Sequence, residues 1–320
     1  MLDFRKIEKT DFDKLDAFYE AQKKYVLTDA HRICDYAPGT VKMWRTAYDM
    51  EYALFCDNLY LSAVFDEEGT RSYFYPLGPN KKNGLERLRN HIEKIGSGTL
   101  SVIPEECAAQ AESVFGADHI VKDTLRADRD WADYIYLKKD FENPAGRRHH
   151  KQKNLINRFV RENPDYTCEA ISEENAEEVL RYYRKYALDN PHTSGVDDAE
   201  FAAACDVLRY WNLYDMRGII LRAAGEICGF TIGEVYGDTV YVHVEKAEKE
   251  KDGAFQVLSR DFLRSIHDPA VLYVNREEDM GLEGLRRSKL AYGPIRLDYK
   301  YTMDVVFAKN ADLPGECVLW

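Results

Sequence analysis

In the second half of the chain, apolar positions gather into three runs, Gly218–Ala224, Ile227–Val235 and Val240–Glu245. They are broken by Gly225 and by Tyr236-Gly237-Asp238. Extended apolar runs between turn residues predict an antiparallel meander. After the charged stretch Lys246–Asp252 the period changes, and Phe255, Leu258, Phe262 and Ile266 recur on one helical stripe. Val271–Val274 then predicts a short buried strand, and Gly281–Leu290 another helix.

The first half follows the same plan. Leu2, Phe4 and Ile7 open a strand, and Thr10 starts a helix through Lys24 with Phe12, Leu15 and Phe18-Tyr19 inward. Residues 25–58 are mixed, with a turn at Pro38-Gly39 and a helical stretch near Met43–Tyr48. Leu59–Phe65 and Tyr73–Leu77 flank Glu67-Glu68-Gly69 as a hairpin. The loop from Gly78 to Gly84 leads to Leu85, Leu88 and Ile92 at helical spacing, then to the strand Leu100–Ile103 and a helix opened by Pro104. Five elements agree in order between the halves, which predicts an internal repeat. Asp130–Leu137 alternates like an edge or shared strand. Asn143-Pro144-Ala145-Gly146 marks a turn, so the boundary is expected near residue 142.

The composition narrows the class. The chain has 320 residues, 44 Lys and Arg against 56 Asp and Glu, and a formal charge of −12. Such an acidic chain does not coat nucleic acid unspecifically. No apolar run approaches the ~20 residues that a membrane span needs, and the start carries no apolar signal region. Seven cysteines scatter without close pairs between Cys34 and Cys317, which fits a reducing compartment. A cytoplasmic protein is expected. Dinucleotide, P-loop, zinc-protease, Cys-x-x-Cys and serine-hydrolase motifs are all missing. His149-His150 lack a neighbouring carboxylate or cysteine cluster, so no metal is expected.

Three segments carry candidate chemistry. Arg147–Arg161 holds six basic residues and no acid, with Leu155, Ile156 and Phe159 as a buried stripe. Arg147, Arg148 and Lys151 then project from a docked helix toward phosphate or another polyanion, unless the face is merely solvated. Asn275-Arg276-Glu277-Glu278-Asp279 follows a buried strand, where ligands of α/β sheets gather and carboxylates serve as bases. Asp279 as a helix cap and Glu277 paired with Arg276 are the plainer alternatives. On Tyr241-Val-His243-Val-Glu245, a period of two places Tyr241, His243 and Glu245 on one face. They are either an acid–base set or a polar stitch within the sheet. Gly253-Ala254 begins the following helix, where free N–H groups favour an anion.

These segments, with Asp133-Tyr-Ile-Tyr, Lys289 and Tyr292-Gly-Pro294, resemble the soluble proteins related to the C-terminal domain of phosphatidylglycerol lysyltransferase. The resemblance covers essentially the whole chain, and residues 275–294 are its most specific block. It implies an α+β fold of two tandem GNAT-like acyltransferase domains, each a mostly antiparallel sheet flanked by helices. Residues 1–142 would form a degenerate supporting domain and 143–320 the working one. It also implies kinship with Fem-type transferases that use aminoacyl-tRNA, and a cleft between Val240–Glu245 and Val271–Asn275.

The reaction expected from the resemblance moves an acyl or aminoacyl group from an activated donor, aminoacyl-tRNA or an acyl-CoA, to an amine or hydroxyl acceptor. Glu245 or Glu277 would act as base and Tyr241 as acid. Asn275, Asp279, His243 and Lys289 would hold substrate, and Arg147, Arg148 and Lys151 the donor phosphates. Gly253 and Ala254 occupy the position of a coenzyme A loop, but Phe255 stands where a second small residue belongs, which argues against coenzyme A. The loop Lys81–Glu86 in the first half departs further. An acetyl-CoA-dependent N-acetyltransferase and a non-catalytic binding module are the rival expectations.

Overall fold

A computed structural model describes residues 1–26, 32–66, 68–190 and 195–307. Cys317 and the turn residue Glu67 lie outside the described residues. In chain order the elements are β1 (Arg5–Lys6), α1 (Phe12–Val26), α2 (Pro38–Trp44), β2 (Glu51–Phe55), β3 (Asn58–Val64), β4 (Arg71–Phe74), α3 (Lys81–Ile95), β5 (Ser97–Pro104), α4 (Ala108–Phe115) and β6 (Arg126–Ala127). They continue with β7 (Asp133–Leu137), α5 (Lys138–Glu142), α6 (His150–Glu162), β8 (Thr167–Ala170), α7 (Ala176–Asp189), α8 (Gly195–Arg209), α9 (Trp211–Tyr214), β9 (Arg217–Ala223) and β10 (Glu226–Tyr236). The last are β11 (Thr239–Ala247), α10 (Ala254–Ser265), β12 (Tyr273–Asn275), α11 (Glu283–Ala291), β13 (Arg296–Asp298) and β14 (Lys300–Val306).

The strands form two sheets, ordered β1-β2-β3-β4-β5-β14-β6 and β8-β9-β10-β11-β12-β7-β13. The orders correspond position by position, which realises the repeat expected from the sequence. In each sheet an antiparallel meander meets a parallel neighbour, β4 with β5 and β11 with β12. Parallel pairing requires a crossover, and the amphipathic helices α3 and α10 supply it.

The sixth position of each sheet is exchanged along the chain. β7, from the middle of the sequence, lies between β12 and β13, whereas β14, near the end, pairs β5. β7 is therefore an interior strand, with Asp133, Tyr134, Ile135 and Tyr136 all buried. The compact units accordingly do not divide at residue 142. One comprises Met1–Lys6, Glu51–Ala127 and the segment beginning at Lys300; the other comprises Ile7–Met50 and Asp128–Tyr299.

In the second unit, α6 and α10 cover one face of the sheet. Ile156, Phe159, Leu258 and Phe262 pack there with Tyr134, Tyr136, Val240 and Val242. On the opposite face, Phe230 meets Tyr183 of α7 at 5.0 Å and Tyr236 meets Tyr19 of α1 at 5.6 Å. Among the described residues no helix is long and apolar enough to cross a membrane.

Candidate active site

The parallel pair β11–β12 is short. Thr239, Val240 and Tyr241 stand opposite Tyr273, Val274 and Asn275. β12 then ends, while β11 continues to Ala247 with no strand on that side among the described residues. The cause is local. Past Asn275 the chain turns toward β7, where the Arg276 amide donates to the Tyr134 carbonyl (3.1 Å) and the Tyr134 amide to the Glu277 carbonyl (3.2 Å). Asn275 Oδ1 accepts the Glu277 amide at 2.6 Å, and Glu277 takes a left-handed φ of 56°. A non-glycine residue in that region is strained and has to be held by its surroundings. Lys289 does part of this holding, since its Nζ donates to the carbonyls of Arg276 and Glu278.

A β-bulge divides the candidate residues of β11. Val244 stands opposite Ile232 but Val242 opposite Gly233, so His243 is the extra residue. One inserted residue reverses the alternation beyond it. Tyr241 therefore pairs with Glu234 on one face, and Glu245 pairs with Thr231 on the other. The single face expected for Tyr241, His243 and Glu245 is corrected in this way.

On the first face His243 is fully buried between two carboxylates. Its Nδ1 lies 2.7 Å from Glu277 Oε1 and its Nε2 lies 3.0 Å from Glu234 Oε1. Burial alone would lower the imidazole pKa, but hydrogen bonds to Glu234 and Glu277 outweigh it and raise the value to about 10. The ring is thus an imidazolium donating from both nitrogens. Glu234 also accepts the amides of Gly39 (2.7 Å) and Thr40 (2.9 Å) at the start of α2. A Cβ on Gly39 would sit 2.7 Å from that carboxylate, so glycine permits the approach. Burial raises the Glu277 carboxyl above its ordinary range, opposed by His243. Tyr241 is wholly buried, and its hydroxyl is pushed far up by burial and then by charged neighbours, Glu234 among them. It is a poor acid at neutral pH.

On the second face Glu245 accepts from Ser259 Oγ and, at 2.9 Å, from Arg276 Nη2. The Arg276 guanidinium lies 5.1 Å from the centre of the Tyr292 ring and 5.8 Å from that of Phe141. Its Nη1 is buried without a partner among the described residues. The Glu245–Arg276 pair spans the opening that the parting strands leave.

Asn275, Asp279 and Lys289, expected as substrate ligands, are internal fasteners. Asn275 Nδ2 donates to the Arg32 carbonyl (2.6 Å) and to Asp133 (2.7 Å). Asp279, fully buried, accepts from Arg286 (2.6 and 2.9 Å), Arg129 (3.0 Å), the Tyr134 hydroxyl (2.5 Å) and the Gly281 amide (3.0 Å). Burial brings the Lys289 pKa down to about 8. Cys34, Asp133 and Glu278 bring one thiol and two carboxylates within 4.8 Å of one another. Nothing in the sequence singled out Cys34 or Glu234, and Asp133 entered only as part of the resemblance and with no role, because these residues join the site through contacts distant in sequence.

The basic segment forms α6 and the turn before it, and Arg147, Arg148, Lys151 and Lys153 are exposed. Arg148 Nη2 donates to the Pro294 carbonyl at 3.2 Å, while Arg158 pairs with Glu162 and Asp252. His149 and His150 do not converge, as His149 Nε2 lies 3.8 Å from Asp140 and His150 Nδ1 lies 3.2 Å from Asn154.

The same helix closes the expected phosphate loop. Gly253 has a φ of 90°, and a Cβ there would fall on the Leu155 carbonyl oxygen and against Phe159. The Ala254 amide donates to the Lys251 carbonyl at 3.0 Å. A carbonyl oxygen packed on the loop repels phosphate, so Gly253 and Ala254 are shaped for helix contact instead. Gly253→Ala is expected to destabilise the chain by more than about 1 kcal/mol, since strain and backbone overlap both oppose it. An unchanged urea midpoint would contradict this packing.

The sequence profile described as phosphatidylglycerol lysyltransferase, C-terminal, matches residues 30–304. The chain belongs to that family. Among solved structures, a conserved protein of unknown function from Bacteroides thetaiotaomicron is 29% identical, with a TM-score of 0.84 over 95% of this chain and 100% of that one. L-PGS from Bacillus licheniformis is 15% identical with a TM-score of 0.62 over 93% of each chain. FemX is 8% identical with a TM-score of 0.55, covering 95% of this chain and 97% of its own. At those identities the last two show a shared fold, and the α+β architecture of two GNAT-like units expected from the sequence is the one found. An uncharacterized protein, MYCGA3080, of Mycoplasmoides gallisepticum is 24% identical over 179 residues, which are 54% of this chain. The match spans 56% of that relative's length. For this member of the phosphatidylglycerol lysyltransferase C-terminal family, the parting of β11 from β12 is the feature around which both carboxylate groups are arranged.

Proposed function

We propose that the chain is an aminoacyl transferase whose second unit carries the reaction. The observation that supports this most is the opening past Tyr241 and Asn275, with Glu277 on one face and Arg276 on the other. An activated donor on the α10 face would present its ester carbonyl to the uncovered edge of β11. An amine or hydroxyl acceptor would attack from the other face. The nucleophile gives its proton to Glu277, the new C–N or C–O bond forms, and the ester C–O bond breaks. The leaving oxygen takes up the proton that Glu277 received, which returns the base to its carboxylate form. Main-chain amides of β11 stabilise the oxyanion.

Glu277 suits the base better than Glu245, because burial raises its carboxyl above the ordinary range even with the His243 imidazolium beside it. In this reading His243 and Glu234 orient the base. The donor we favour is aminoacyl-tRNA, received by Arg147, Arg148 and Lys151. The family's name speaks of lysyl transfer, and the Leu155 carbonyl over the Gly253 loop argues against an acyl-CoA. The N-acetyltransferase reading is weakened by the same contact. The bridging Glu245–Arg276 pair favours a second reading, a binding module without turnover.

The deciding assay incubates the purified chain with radiolabelled aminoacyl-tRNA and sets of amine and hydroxyl acceptors. Label transfer above the blank is expected. Replacing Arg147, Arg148 and Lys151 together by Ala should weaken tRNA binding at least about tenfold and reduce its salt slope by about 2. Saturable tRNA binding with no transfer to any acceptor would favour the binding module, and tRNA binding unchanged in the triple variant would remove α6 as the donor site.

A further inference from the structure

A small cavity of about 10 Å³ lies between α5, α6 and α10, bounded by Asp140, Phe141, His149, Gln152, Gln256 and Tyr292. None of these residues takes part in the acid–base scheme above. A space of this volume holds about one water-sized group. Its polar lining is unbalanced. Gln152 is 95% buried, with 5% of its surface exposed. Its Nε2 donates to the Ala291 carbonyl at 2.6 Å, which fixes the orientation of the amide, because the opposite orientation would set two oxygens face to face. Its Oε1 is left buried with no partner among the described residues. A buried acceptor left unpaired costs about 1–3 kcal/mol, so this atom calls for a donor.

The remaining lining narrows what that donor is. Asp140 adds a carboxylate at the cavity. The rings of Phe141 and Tyr292 stack at 4.9 Å and 10° and form the apolar part of the wall. An anion would meet both the Asp140 charge and the Gln152 oxygen. An apolar group would leave Oε1 unsatisfied. A metal ion would find the Asp140 carboxylate, the His149 imidazole and one amide oxygen, and no set of three His, Cys, Asp or Glu ligands is formed at this cavity among the described residues. A primary ammonium is about the size of a water, brings three donors and carries the complementary charge.

We propose that this cavity is a binding site for a primary ammonium group, with Gln152 Oε1 and Asp140 as its acceptors. The inference deepens the aminoacyl-transfer reading. The wall residue Tyr292 also packs on Arg276, the residue that spans the opening, so the cavity adjoins the donor side and would seat the ammonium of the aminoacyl group.

The test is calorimetric titration of the full chain with glycinamide, and with acetamide as the neutral probe that lacks the ammonium. Saturable binding of glycinamide but not of acetamide is expected, with affinity falling at least about tenfold in Gln152→Leu and in Asp140→Asn. Equal behaviour of the two amides, no saturable binding of glycinamide, or retained affinity in both variants would overturn the site. If Gln152→Leu does not fold, the partly exposed Asp140→Asn decides alone. Glycinamide binding without any transfer activity would leave this site standing and remove the transferase reading. Transfer activity without glycinamide binding would do the reverse.

Discussion

Glu277→Gln is expected to lower the transfer rate by about 10²- to 10⁴-fold, the range that a positioned general base supplies, while donor binding stays within about twofold. The amide keeps the size of the carboxyl group and can still accept from His243 through its oxygen. The imidazolium retains Glu234 on its other nitrogen, and Glu234 keeps the two amides at the start of α2. The loss should therefore fall on turnover. In the parent protein the rate should rise with pH along an acid limb centred above the ordinary carboxylate range, because burial raises Glu277. That limb should vanish in the variant. Glu245→Gln serves as the comparison. It releases Arg276 and should weaken donor binding more than turnover. Full activity in Glu277→Gln would sink the assignment of the base, and full activity in both variants would sink the site.

The elements that surround this site were readable because each is written in local periodicity. Phe255, Leu258, Phe262 and Ile266 mark α10, and the apolar runs on either side of Tyr236-Gly237-Asp238 mark β10 and β11. The specific block at 275–294 pointed to the family. Four features were not readable. Alternation assumes an unbroken strand, so the bulge at His243 hid the separation of Tyr241 from Glu245. The exchange of β7 and β14 leaves no local trace, because a strand's pattern records that it is buried and not which sheet buries it. Residues 7–50 join the second unit through contacts such as Gly39 with Glu234 and Cys34 with Asp133, which lie 195 and 99 positions apart. Charged residues after a strand look alike whether they await a substrate or fasten a loop. Only geometry separates Glu277, near the opening, from Asp279, whose oxygens are all engaged.

That engagement makes Asp279→Asn the substitution with the largest expected effect on stability. Asp279 is fully buried, and Arg286, Arg129, Tyr134 and the Gly281 amide converge on it from β7, α11 and the segments beside them. Burial alone would raise its pKa, but these donors, Arg286 foremost, hold it far below the usual carboxylate range. Removing one partner of a buried ion pair costs about 3–5 kcal/mol. Arg286 and Arg129 keep about a third of their side-chain surface exposed, 32% and 30%, and can be rehydrated, so about 3 kcal/mol is expected. A depressed carboxylate pKa stabilises the fold above the unfolded value of about 3.9 and loses that contribution as pH falls through and below it. The parent protein should therefore lose stability steeply on the acid side, and Asp279→Asn should do so less steeply, from a lower plateau at neutral pH. Urea midpoints measured from pH 7 downward would show both effects. A loss at neutral pH below about 1 kcal/mol would mean that the arginines hold α11 to β7 without the carboxylate, and Asp279 would then return to the residues available to a ligand.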